Sequence, residues 1–174
     1  LAAWIVLSSL LNIVERVQST RAGQPFMNAL FKQPRSFFGM HLAHIGIAAF
    51  VVGVAMVNGY QAEKDVKMEI GDTVSIEAYT FRFNGVREEK GPNYAALVGD
   101  IDLLKDGKVL RKMSPEKRAY FASSMPMTEA AIDTGFTRDV YVSLGEPIDK
   151  ARPEAAWAVR VYHKPFVDWI WGGC

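Results

Sequence analysis

The chain has 174 residues, 49% of them hydrophobic, and a formal net charge of +1. That is enough chain for a sizeable core, and near-neutrality with interspersed signs excludes a nucleic-acid stripe or a polybasic membrane patch. The single cysteine, Cys174, excludes an internal disulfide and any cysteine-only metal cluster.

Composition is uneven along the chain. Residues 1–14 form an uncharged apolar run with no basic n-region before it and no small-residue cleavage pattern after it, so a signal peptide fits poorly. The run opens abruptly, and "FVDWIWGGC" turns apolar where the sequence stops. Both features lead us to expect a fragment of a larger membrane protein, with a truncated transmembrane helix over 1–14 and the start of another over 165–174. Residues 15–38 set Arg16, Arg21, Lys32 and Arg35 against Glu15, the balance of a short cytoplasmic connector.

From Gly39 to Val57 there is no Asp, Glu, Lys or Arg. A helix of that length rises roughly 28 Å, close to the hydrocarbon thickness of a bilayer. A transmembrane helix is therefore expected over 39–58, delivering the chain to the extracytoplasmic side. Within it, "SFFGMHLAHIGIAAF" holds His41 and His44 about 60° apart on one helix face. Gly39, Gly46 and Gly53 recur at seven and fall on the opposite side, where small residues let helices approach closely. Membrane imidazoles serve as interhelical hydrogen-bonding groups, as haem ligands with one ring nitrogen free, or as proton relays. His41 lies nearer the connector and fits the headgroup boundary; His44 is the better ligand candidate. Two histidines three apart cannot serve both faces of one haem, so a second axial ligand must come from another helix.

Residues 61–164 switch to a period of two, the mark of half-buried strands. "DTVSIEAYTFRFNGV" alternates through Val74 and Ile76 and on through Phe81 and Phe83. "YAALVGDIDLLKDGKVLRKMSPEKRAYF" reads as a strand, an Asp-Gly hairpin turn and a returning strand. "AAIDTGFTRDVYVSLGEP" and "AAWAVRVYHKPF" add at least two more. We expect a small antiparallel β domain of five to seven strands, barrel-like, between membrane helices: a mixed α and β chain. Phe166, Trp169 and Trp171 fit a membrane interface, where Asp168 is tolerable. His163 reads as a surface residue at the membrane junction. Met125 and Met127, flanking a proline, suit either core filling or a soft recognition surface. No metalloprotease, nucleophile-elbow, Walker or Rossmann fingerprint occurs.

The strings "GMHLAHIG", "MTEAAIDTGFTRDVYVSLGEP" and "WAVRVYHKPFVDWIWGG", in that order, resemble the C-terminal part of the CcmF/NrfE family, the haem lyase subunits of bacterial cytochrome c maturation. The resemblance implies a multi-pass inner-membrane protein with residues 61–164 as a periplasmic domain. It implies a stable haem b in the membrane, with His44, in the family's A-H-x-G helix, as an axial ligand to the haem iron. It also implies partners: a haem chaperone, thioreductase-like maturation subunits and apocytochrome c, with lipid around the helices and quinol as an electron source. The family's tryptophan-rich periplasmic motif and the second haem b ligand have no match in these residues, so this stretch holds half of one haem site and no residue assigned to covalent attachment. Two other classes fit the same residues. One is a docking module in which His41 and His44 only join helices; the other is a quinol-to-haem electron-transfer subunit.

Overall fold

The computed structural model describes residues 1–123, 125–149 and 156–174. Ala155, which opens the last expected strand stretch, lies outside them. The chain divides into a helical unit, Leu1–Gly59 with Pro165–Cys174, and a β unit, Tyr60–Lys164.

The helical unit contains α1 (Ala2–Thr20), α2 (Phe26–Phe31), α3 (Arg35–Tyr60) and α4 (Val167–Gly173). Helix α1 continues six residues past Val14, carrying Glu15 and Arg16 as its polar last turns. Positive φ at Ala22 and Gly23 then reverses the chain. Pro25 and Pro34 stand just before α2 and α3, where a missing N–H costs nothing. Helix α3 is long and apolar enough to cross a membrane, and among the described residues it alone is. Helices α1 and α4 do not meet that measure: the polar last turns of α1 lower its mean hydropathy, and α4 spans only 7 residues. Phe166 begins α4 from a left-handed conformation, φ 57°. Helix α4 then runs back antiparallel along α3, with Ile170 and Phe166 against Gly53 and Gly173 against Gly46 and Phe50.

The β unit holds β1 (Ala62–Glu69), β2 (Thr73–Ile76), β3 (Tyr79–Lys90), β4 (Tyr94–Lys105), β5 (Lys108–Met113), β6 (Glu116–Tyr120), β7 (Met127–Glu129), β8 (Ala131–Asp133), β9 (Arg138–Pro147) and β10 (Ala156–Pro165). One sheet has the order β1-β10-β9-β8; the other runs β2-β3-β4-β6-β7, with β5 also paired to β4. Their inner faces share one core built on Phe81, Phe83, Leu103, Val142, Leu144 and Val161, all fully buried. Consecutive segments β7 and β8 pair with β6 and β9 respectively, so one stretch of chain passes from the edge of one sheet to the edge of the other. The result is a curled half-barrel of two sheets rather than a closed ring.

Among the described residues ten strands replace the five to seven expected, and two of the extra ones have a plain physical reason. The alternating stretch 72–86 is a hairpin: inward positions are even through Ile76 and odd from Tyr79, and Glu77 at φ 50° makes the turn between them. The returning strand after Asp106-Gly107 is likewise two. Pro115 cannot donate to the ladder, so β5 pairs with the C-terminal half of β4 and β6 with its N-terminal half. The Asp-Gly hairpin itself forms as expected, with positive φ at both Asp106 and Gly107.

Candidate functional site

Helix α3 has two dissimilar faces. Gly46 and Gly53 are covered by α4: a Cβ on Gly53 would lie 2.8 Å from Ile170 Cγ1 and 3.0 Å from the Phe166 carbonyl oxygen. Gly39, the first of the heptad glycines, has open space beside it. Across from the glycines stand His41 and His44, in different surroundings. His41 is buried at 5% exposure, edge-on to Phe37 at 4.5 Å between ring centroids, and neither of its ring nitrogens has a hydrogen-bond partner. Packing against Phe37 gives His41 a dry surrounding.

His44 is exposed on the same face. Its Nδ1 lies 2.7 Å from the carbonyl oxygen of Met40, one turn earlier. A carbonyl can only accept, so Nδ1 carries a proton, and in the neutral imidazole this leaves the lone pair on Nε2. That is the tautomer of a metal-ligating histidine, whose second nitrogen is commonly held by a backbone carbonyl. Nε2 has no hydrogen-bond partner among the described residues. The donor chemistry therefore fits a haem iron. Among the described residues no group of three or more His, Cys, Asp or Glu side chains is placed to hold a metal ion.

A second cluster sits in the β unit, where β1 and β10 pair at Ala62 and His163. His163 stacks on Tyr79 at 6.2 Å, and its Nδ1 is buried without a partner. Arg138 Nε donates to the Tyr79 hydroxyl at 2.7 Å, and its guanidinium also pairs with Asp133 at 2.7 Å. Sequence reading missed this network: Tyr79 and Arg138 are 59 residues apart, and no local pattern links them. Burial holds the His163 imidazole below its ordinary value, outweighing the opposing pull of Glu77, with a smaller push in the same direction from Arg138. The sign follows from linkage. Below about pH 6.5, the ordinary value, the unfolded chain takes up a proton that the folded one resists, so stability falls with pH down to the depressed folded value. Thermal unfolding of the protein and of His163→Phe, followed between pH 7.5 and 5, is expected to converge as pH falls, the variant having the flatter slope. Parallel slopes would remove His163 from the acid response.

The β unit supplies the observation that decides the family. Residues 59–165 match the family described as "CcmF C-terminal beta-sandwich". The chain belongs to the CcmF family. It is 43% identical to the cytochrome c-type biogenesis protein CcmF of Pseudomonas aeruginosa over 175 aligned residues, covering 99% of this chain and 25% of that protein. With the Escherichia coli CcmF the identity is 47% over 138 residues, 79% of this chain and 21% of that protein. The cytochrome c-type biogenesis protein NrfE of Haemophilus influenzae is 33% identical over 79% of this chain and 21% of its own length. The chain thus spans about a quarter of the length of the curated relatives it matches. A solved structure titled "Cytochrome c Heme Lyase CcmF" has the same fold, with a TM-score of 0.74 at 15% identity over 97% of this chain and 27% of that one.

Proposed function

We propose that this chain is a working part of a membrane haem lyase in cytochrome c maturation, in which α3 presents His44 as one axial ligand of a resident haem b. The observation that carries the reading is the His44 imidazole itself, with Nδ1–H fixed on the Met40 carbonyl and Nε2 free on a bilayer-length apolar helix. A further ligand to the haem iron would have to come from outside these residues. When bound, haem b supplies one-electron transfer, drawing on quinol and keeping the iron of the substrate haem reduced. Everything else asked of this chain is positioning. Met40 sets the tautomer, α3 sets the depth of the imidazole, and the Gly46 and Gly53 contacts with α4 fix how the helix is packed.

On this reading residues 15–38 face the cytoplasm, 39–58 cross the inner membrane, and 61–164 stand in the periplasm beside apocytochrome c, the haem chaperone and the thioreductase-like subunits. Each thioether forms by addition of a cysteine S–H across a haem vinyl C=C, a step with no leaving group, so bringing the partners together in register is the main protein contribution. A rigid two-sheet body with one continuous core suits bracing such an assembly.

The test is His44→Ala in the full-length protein, read as b-type haem absorbance per protein and as holocytochrome c yield. The expected result is loss of most of the haem absorbance and a fall in yield. Unchanged absorbance would overturn the ligand assignment. Lost haem with normal yield would leave His44 a ligand but make the haem dispensable for attachment.

A further inference from the structure

Beside the His44 face, α1 and α3 flank a wide, open groove of about 680 Å³. Asn12, Glu15, Arg16 and Ser19 line it from α1, and Ser36 and Met40 from α3. We propose that this groove receives the carboxylate edge of the haem, with Arg16 as its cation. The inference rests on the reading of His44 as a ligand and adds which way the porphyrin is turned. Met40 lies within about 40° of His44 around the helix, and it belongs both to the groove and to the His44 hydrogen bond. Between Met40 and Ser36 the groove covers axis positions roughly 6 to 12 Å toward the α3 N-terminus from His44. In the other direction the same stripe reads Ile47, Ala48 and Val51, with nothing to receive an anion.

A b-type porphyrin is apolar over most of its perimeter and bears two carboxylates on one edge. In hydrocarbon those carboxylates are prohibitive without a paired cation or an interface, and the groove offers both. Arg16 presents a planar fork of N–H donors matched to carboxylate geometry. Among the described residues its guanidinium has no hydrogen bond or ion pair, so no internal anion already neutralises it. Glu15 is the groove's one carboxylate, and as the adjacent residue it diverges from Arg16 by about 100° around α1.

Full-length protein stripped of haem is titrated with iron protoporphyrin IX and with its dimethyl ester, which keeps the iron and ring but removes both charges. The native protein is expected to favour the free acid tenfold or more, the scale of a charge-assisted hydrogen bond. Arg16→Gln should bring that preference below threefold while leaving the affinity for the ester unchanged, and Arg16→Lys should keep part of it. The bound haem of Arg16→Gln should also show a lower midpoint potential, because losing a nearby cation favours ferric iron. An Arg16→Gln protein that discriminates as the native one does would overturn the groove assignment, even where His44→Ala loses haem. A His44→Ala protein that keeps its haem would overturn the ligand reading instead.

Discussion

Phe83→Ala should cost the β unit about 3–5 kcal/mol, the range for removing a buried aromatic ring from a core that cannot fully collapse. Phe83 is fully buried, opposite Ile101 in the β3–β4 pairing, and belongs to the inner layer where both sheets meet. The residues around it come from strands tied in ladders, so the cavity would be held open by backbone hydrogen bonds. For a unit of this size that loss lowers the melting temperature by roughly 12 °C or more. Val109→Ala is the control: Val109 is 50% exposed on β5, and a change there is expected to stay within about 0.5 kcal/mol. Thermal unfolding of both variants by far-ultraviolet circular dichroism decides the matter. Similar melting temperatures would mean that the two sheets do not form one cooperative core.

How far the fold was legible depends on which signal each element carried. The helical period alone placed the histidines and the glycines of α3 on opposite faces, because 3.6 residues per turn is a fixed geometry. It could not say that only Gly46 and Gly53 are covered, since that depends on where α4, beginning at Phe166, lies against α3. Asp106-Gly107 announced its hairpin, because those residues tolerate positive φ at little cost. Glu77 did not: it adopts positive φ without being a residue type that advertises it, and only the change of parity between Ile76 and Tyr79 marked the turn. The separate strands β5 and β6 have their local mark in Pro115, which cannot donate to the ladder.

At the site, the spacing of Met40 and His44 allows an i−4 hydrogen bond but does not choose the rotamer that makes it. That choice selects the free nitrogen, which the proposed ligand role of His44 requires. His41 shows the converse. Its sequence position resembles that of His44, yet it is turned onto Phe37 and buried, so the two imidazoles separate only in three dimensions. The Arg138–Tyr79 contact closes across two sheets, a distance no local pattern spans.

Gly53→Ala and Gly39→Ala are the same substitution in the same helix, and they should act with opposite sign. In an exposed helical position, replacing glycine by alanine removes backbone entropy from the unfolded state and is worth up to about 1 kcal/mol. Gly39 has nothing within 4 Å of an added Cβ, so it should show that gain. At Gly53 the added methyl would stand 2.8 Å from Ile170 Cγ1 and 3.0 Å from both the Ile170 backbone nitrogen and the Phe166 carbonyl oxygen. Shortening the side chain in Ile170→Ala relieves only the first of these contacts, because the other two are backbone and cannot rotate away. The methyl must push α4 off α3, an overpacking cost of roughly 1–3 kcal/mol that outweighs the propensity gain. Denaturation midpoints of the solubilised full-length protein should therefore rise or hold for Gly39→Ala and fall for Gly53→Ala, with Gly53→Ala/Ile170→Ala recovering only part of the loss. Complete recovery would place the clash in the side chain alone, and equal midpoints for the two single variants would mean that α4 does not rest on this face of α3.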